Sequence, residues 1–498
     1  MRNAHINKYE STTPDVTDWL NVNWHDVNKY VDKQQKRIYS AEKEGDSHKV
    51  RNIQRMLTHS KAVVLLAVRR VTQLNKGKYT PGIDGNVVLT NDERGKLVDL
   101  IMSRKIERHR PKPAYRKYIK KKSGKLRPLG IPTIIDRVYQ EIVRIILEPQ
   151  AEAQFEPTSY GFRPKRTVHD AIERIFHNIR GGKWTYVYEG DFKDCFNNLS
   201  HDFILKQLKG FPLKGLVERF LKAGYVDNQV FYNTENGTPQ GGVLSPLLAN
   251  IALTGLEKCL NITYKKQVEN RKGSISVYYR TKGKYRVTRY ADDFIIFAKN
   301  KEDIEMVPEL LKPYLKERGL ILAEDKTKIT HVTEGFDFLG ANCRLYNTKD
   351  GLRCFIKPSK DSIMKFKSKI YDKTKSLHGH SVDYLIDEIN PIIVGTANFW
   401  KHWVSKDIFS QMDHYIWNTT FNFVCRMHSN KSKNWIIDKY YPFYFDGKFY
   451  GNWVLTGPKK GNHLRKMNWT SIRRHKMIKH NYSPYDKTKT EYFKQREL

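Results

Sequence analysis

The sequence predicts an α+β protein, and three observations carry that prediction. Between about residues 128 and 345, stretches of helical spacing (136–147, 168–179, 246–260) alternate with short β-type runs (185–188, 287–290, 294–298, 336–339). Residues 15–75 repeat apolar side chains at helical intervals, and beyond about residue 350 the β signals fade while 381–403 and 406–427 return to helical spacing. The 498 residues, 39% apolar and 12% aromatic, are enough for several packed cores, about three or four domains at roughly 100–200 residues each.

Taken in order, Val50, Ile53, Leu57, Val64 and Val68 recur at intervals of three, four or seven among Lys, Arg and Gln, and Lys76-Gly77 closes that helical region. Two turn signals follow in Thr80-Pro81-Gly82-Ile83-Asp84-Gly85. Residues 104–127 hold twelve Lys or Arg against the single acid Glu107, with Ser123-Gly124 as the turn of a basic hairpin. The late helices are rich in aromatics (Phe399, Trp400, Trp403, Phe409, Tyr415, Trp417, Phe421, Phe423), which helical spacing assigns mainly to a bundle core. Residues 451–480 are basic again, with eight Lys or Arg and no acid.

Charge narrows the function. With 89 Lys plus Arg and 53 Asp plus Glu the net charge is +36, which points to a polyanionic partner: nucleic acid, acidic membrane or acidic protein. The longest apolar run near the N-terminus, 62–68, is far short of the roughly 18 residues of a spanning helix, and the first residues carry no hydrophobic leader. A soluble protein without a secretory signal is expected. Five scattered cysteines (Cys195, Cys259, Cys343, Cys354, Cys425) without a Cys-x-x-Cys pair predict neither a disulfide framework nor a zinc ribbon, and fit a reducing, cytoplasmic setting. His378 with His380, and His475 with His480, lack ligand partners at zinc spacing and read as surface histidines.

In so basic a chain, acids in apolar surroundings stand out. Asp292 and Asp293 are adjacent between β-type runs, at what reads as a hairpin tip, and Asp191 follows the run 185–188. Carboxylates in turns are often only turn formers. Here the flanks are buried-strand sequence, where two uncompensated charges are costly without a cation between them. Three carboxylates at neighbouring strand ends suit two Mg²⁺ ions about 3.5–4 Å apart and in-line phosphoryl transfer.

Tyr290-Ala291-Asp292-Asp293 resembles the signature box of reverse transcriptases. Ordered companions make the resemblance specific to group II intron reverse transcriptases, or maturases: Lys125 to Thr133 with Asp136-Arg137, Ser159 to Pro164, Gly237-Thr238-Pro239-Gln240-Gly241-Gly242, Leu244 to Asn250, and Phe338-Leu339-Gly340. It is strong over about 60–345 and weaker through Gly395 to Trp403 and Tyr482 to Phe493.

The resemblance implies a right-hand polymerase (fingers, palm, thumb) with a helical N-terminal extension and a helical C-terminal maturase domain. The expected divisions are 1–103, 104–345 (fingers and palm), 346–450 (thumb and maturase domain) and 451–498 (basic DNA-binding tail). It implies catalytic roles for Asp191, Asp292 and Asp293, which would bind two Mg²⁺ (Mn²⁺ a possible substitute) together with the Phe192 carbonyl. Lys121 and Arg127 would grip the incoming triphosphate, Arg127 through its planar fork; a small register shift would bring Lys120 or Lys122 to the place of Lys121. Phe196 would be the aromatic gate against a ribose 2′-OH, or else a core aromatic. Gln240 would act near nucleotide or template, or its segment is a plain turn; Lys326 would lie near primer and nucleotide, or is a solvated lysine. Arg163 either contacts template or buttresses the fingers.

Two positions depart from the family pattern, Asn197 where Asp is frequent and Ala323 where Asn is, and neither removes a metal ligand. The cysteine pairs and histidine-rich site of an endonuclease are not found before Leu498, so a form without that domain and without second-strand cleavage is expected. The implied partners are group II intron RNA, an RNA template with a DNA primer, target DNA and dNTPs, with no membrane. The alternatives are a reverse transcriptase domesticated for defence, diversity generation or repair, and an RNA-binding splicing factor without a polymerase role.

Overall fold

The structure, a computed structural model, describes residues 17–120, 124, 126–238, 241–271, 274–325 and 327–497. The N-terminal helical region is three helices rather than one, Trp24–Lys43, Ser47–Thr58 and Lys61–Arg69. The first break is local chemistry: Gly45 adopts φ +77, and the Asp46 carboxylate then accepts the Lys49 N–H to start the second helix. Val50, Ile53, Leu57, Val64 and Val68 are all buried, as their spacing predicts. A fourth helix, Asn91–Met102, opens with a reciprocal capping box between Thr90 and Glu93. These helices pack around the long helix Ile134–Gln154, where Arg137 donates to the carbonyls of Pro132, Gly77 and Thr80 and so ties the 76–80 turn down.

The strands, in chain order, are β1 (Ala114–Lys120), β2 (Leu126–Ile131), β3 (Tyr186–Gly190), β4 (Tyr225–Asp227), β5 (Val230–Tyr232), β6 (Thr263–Arg271), β7 (Ser274–Lys282), β8 (Arg286–Tyr290), β9 (Asp293–Ala298), β10 (Lys328–His331), β11 (Phe336–Phe338), β12 (Ala341–Thr348), β13 (Gly351–Pro358), β14 (Tyr444–Phe445) and β15 (Lys448–Phe449). The basic band forms the hairpin β1–β2, extended into a sheet of order β2-β1-β4-β5. The central sheet is antiparallel, order β10-β3-β9-β8. Its inner strand β9 is buried from Phe294 to Ala298, which explains the unbroken apolar run there. Helix Val168–Ile179, capped by Thr167 and Asp170, lays Ala171, Ile172, Ile175 and Ile179 toward the core.

Three features depart from the sequence expectation. Gly255, at φ +107, splits the 246–260 helix into Ser245–Ala252 and Leu256–Cys259. The hairpin β6–β7 also departs: β6 is mostly Lys, Gln, Glu and Asn, and alternation is confined to Ser274-Ile275-Ser276-Val277 in β7, too short a signal to mark a pair of nine-residue strands. Strand structure also persists past residue 350, in β13, which pairs with β12 along its full length.

The C-terminal helices Lys360–Ser376, Val382–Trp400, Lys406–Met427 and Lys433–Tyr440 follow. Trp400, Trp403, Phe409 and Phe423 are buried in their core, whereas Phe399 stays 37% exposed. The basic tail folds back onto helix Val168–Ile179: Asp170, fully buried, accepts from the Ile478 N–H (2.7 Å), His475 (3.0 Å) and Arg496, while Glu173 accepts from Arg474. The Asp170 carboxyl is held at about 2, against its burial, by these partners. Among the described residues, no helix is long and apolar enough to cross a membrane.

Candidate active site

The two acid-bearing segments meet at one end of the central sheet. Gly190 pairs with Phe294 across β3 and β9, so one further step in register sets Asp191 opposite Asp293, the first residue of β9. Asp292 sits in the turn between β8 and β9, after Ala291 at φ +57. Gly190 is required by packing, since a Cβ there would stand 2.1 Å from the Phe294 ring, which lies 4.9 Å from that of Phe192. The buried Cys195 thiol is pushed far up by desolvation first and then by the charges of Asp292 and Asp191, so one buried group feels both carboxylates.

The segment 158–161 braces the turn from behind. Tyr160 N–H donates to the Arg289 carbonyl (2.9 Å), and Arg289 N–H donates to that of Thr158 (3.0 Å). Gly161 then abuts the turn so closely that a Cβ would lie 2.4 Å from Ala291 N. Arg163 resolves the alternatives left by the sequence: its guanidinium grips buried Glu152 at 2.8 and 2.9 Å and donates to the Glu156 and Ser159 carbonyls, so it buttresses this segment. Breaking such a buried pair costs about 3–5 kcal/mol, because the remaining charge is stranded.

Phe196 lies in the helical turn Cys195–Asn198, 9% exposed, and its carbonyl accepts the Thr238 N–H (2.6 Å). Gly237, at φ +86, packs where a Cβ would be 2.5 Å from the Asn197 carbonyl oxygen, and at Gly241, φ +118, a Cβ would be 2.7 Å from that of Gly130 in β2. Gly237 and Thr238 therefore lie at the aromatic turn, and Gly241 lies at the basic hairpin. A cleft of about 460 Å³ opens there, lined among others by Arg116, Tyr118, Pro128, Asn197 and Thr238. Strand alternation puts exposed Arg127, paired with Ile119, on the opposite face of the hairpin from those lining residues. Along Asp191–Lys193 runs the 321–323 segment, with Ala323 N–H on the Asp191 carbonyl (2.8 Å) and Lys193 N–H on that of Ile321 (2.9 Å). Lys121, Gln240 and Lys326 lie outside the described residues.

The donor set of Asp191, Asp292, Asp293 and the Phe192 carbonyl is hard oxygen, the chemistry a divalent cation such as Mg²⁺ takes. Backbone placement brings the three acids to one sheet end. Among the described residues, no three His, Cys, Asp or Glu side chains are gathered closely enough to hold an ion.

Sequence reasoning missed the supports. Arg289, 1% exposed, and Asn250, 1% exposed, lie behind the turn; Asn250 ends the Leu244 to Asn250 motif and Arg289 falls in the β-type run 287–290. The available signal was an arginine in a strand otherwise spelled by buried residues. Glu156 and Glu257 were also missed: Glu156 is raised to about 7 by burial first and by the Glu257 charge second, while it accepts the N–H groups of Gly255 and Glu257.

Residues 119–343 match the family model described as reverse transcriptase (RNA-dependent DNA polymerase), residues 19–101 the N-terminal domain of reverse transcriptase, and residues 363–441 the group II intron maturase-specific domain. The group II intron-encoded protein LtrA of Lactococcus lactis subsp. cremoris is 37% identical over 321 residues, 54% of this chain and 53% of that protein. Protein YkfC of Escherichia coli (strain K12) is 32% identical over 336 residues, 62% of this chain and 87% of that protein. An uncharacterized 91 kDa protein in the cob intron of Schizosaccharomyces pombe is 30% identical over 320 residues, 54% of this chain and 39% of that protein. The fold class is that of a right-hand polymerase with helical flanks. The chain belongs to the family of group II intron reverse transcriptases and maturases. It spans about half the length of LtrA.

Because folded Glu156 holds its proton to about 7 rather than 4.5, the native state binds more protons than the unfolded chain between those values. The stability this burial allows is fully present below pH 4.5 and is lost as pH rises through about 7. Glu257→Gln removes the neighbouring charge. Denaturant midpoints measured from pH 5 to 8 should fall less steeply for this variant than for wild type; equal slopes would refute the assignment.

Proposed function

We propose that the chain is an RNA-directed DNA polymerase and the maturase of a group II intron, binding that intron RNA, assisting its splicing and copying it into DNA for retrohoming. The observation that carries the reading is the succession, in one chain, of reverse-transcriptase N-terminal, reverse-transcriptase and maturase-specific domains, with three acids at adjoining strand ends of the second. The reverse-transcriptase domain implies a divalent-metal-dependent polymerase.

The reaction is attack of a primer 3′-OH on the α-phosphate of a dNTP, with pyrophosphate leaving. Two Mg²⁺ ions, or Mn²⁺ in their place, supply hydroxyl activation and charge neutralisation when bound. Asp191, Asp292 and Asp293, with the Phe192 carbonyl, are the groups that hold them. Arg127 and Lys121 on the basic hairpin bind triphosphate oxygens, Gln240 and Lys326 act beside nucleotide and primer, and Phe196 closes the sugar pocket against a 2′-OH.

The domain divisions 1–103, 104–345, 346–450 and 451–498 follow the same reading. The helical flanks hold intron RNA through phosphate, shape and 2′-OH contacts, which suit Lys/Arg-rich helices. In the tail, Arg474, His475 and Arg496 are committed to Asp170 and Glu173, so target DNA falls to the exposed Lys459, Lys460, Arg465, Arg473, Lys476 and Lys479. The five cysteines are all free, which suits a reducing interior.

Primer extension and intron splicing should separate in the variants Asp292→Ala and Asp293→Ala: extension abolished, splicing retained. Extension by either variant at the wild-type rate would overturn the catalytic assignment, and loss of splicing with extension intact would overturn the division of labour. For the sugar gate, Phe196→Val should incorporate ribonucleotides more readily in a competition assay, and unchanged discrimination would make Phe196 a core residue only.

A further inference from the structure

Arg289 is the largest fully buried side chain among the described residues, a cation placed directly behind the acid-bearing turn. Its Nη1 donates to the Ala291 carbonyl (3.0 Å) and to Asn250 Oδ1 (3.1 Å). Asn250 Nδ2 in turn donates to the Gly161 carbonyl (2.8 Å), and Gly161 is pressed against Ala291 N. A closed ring of contacts thus runs from Ala291 through Arg289, Asn250 and Gly161 back to Ala291. Burying a guanidinium is expensive, and here Nε and Nη2 have no hydrogen-bond partner among the described residues. A fold that needed only apolar filling at this site would not keep such a group.

What the ring fixes is the peptide between Ala291 and Asp292. That unit is planar, so pinning the Ala291 carbonyl sets the direction in which the chain enters Asp292. Ala291 holds φ +57, a conformation that costs a non-glycine residue about 1–2 kcal/mol and persists only where its surroundings impose it. We propose that Arg289, clamped by Asn250, is the positioning residue that presents Asp292 for metal binding. The inference rests on the polymerase reading above and extends it to a residue that touches neither substrate nor ion. Lysine is a poor substitute, because Nη1, which makes both bonds, is fixed in place by a rigid guanidinium plane, whereas an ammonium on a flexible four-carbon stem is not so held.

The test uses the full chain, with Mn²⁺ binding followed by electron paramagnetic resonance and primer extension titrated with Mg²⁺. Arg289→Lys should melt within a few degrees of wild type yet bind Mn²⁺ about tenfold more weakly, the low end of what loss of an outer-shell partner does. Its extension should need correspondingly more Mg²⁺. Asn250→Ser, which keeps the arginine and loosens its clamp, should move both readouts in the same direction by less, and it decides the matter if the lysine variant does not fold. Variants that bind Mn²⁺ and respond to Mg²⁺ as wild type does overturn the inference while leaving the polymerase reading intact. A wild-type chain that neither binds Mn²⁺ nor extends a primer overturns both.

Discussion

The close approach of Gly161 to Ala291 is the constraint on which the site depends. With no side chain at 161, the segment after helix Ile134–Gln154 can press against the turn between β8 and β9, and a Cβ there would stand 2.4 Å from a backbone nitrogen. The same segment is hydrogen-bonded on both sides to Arg289 and is itself held by the buried pair Arg163–Glu152. Rigidity therefore passes from a long core helix, through a buried ion pair, to the tip that carries Asp292. A site built this way places its acids by backbone contact.

Electrostatics divides the labour. A net charge of +36 surrounds a small number of acids at one sheet end. Not all of that positive charge faces solvent: Arg137, Arg163, Arg166 and Arg289 are buried and bind backbone carbonyls or acids. These arginines act as cross-links within the polymerase core, and only the exposed remainder is available for phosphate. Counting basic residues thus overstates the nucleic-acid surface, and the tail makes the same point, since its Arg474 and Arg496 are spent on Glu173 and Asp170.

Much of this was legible in the residues. The helix Val168–Ile179 and the strands β8 and β9 follow from periodicity, and the acids stand where apolar runs end. The hairpin β6–β7 was harder to read, because β6 is mostly polar and the alternation that marks a half-buried strand is confined to four residues of β7. Nor was the site's second layer: that Asn250 bridges Arg289 and Gly161 depends on three segments remote in sequence meeting at one point. Arg163 illustrates the limit, since an arginine in a loop reads equally as a ligand for phosphate or as a brace, and only its burial against Glu152 separates the two.

The most direct measurement is primer extension by the Gly161→Ala variant, paired with its melting temperature. The added methyl should displace the turn, and a shift of about 1 Å in a reacting group costs on the order of a hundredfold in rate, so extension should fall by about that factor while the chain still melts cooperatively. Extension at the wild-type rate in a folded Gly161→Ala chain would contradict the claim that this contact positions the acids.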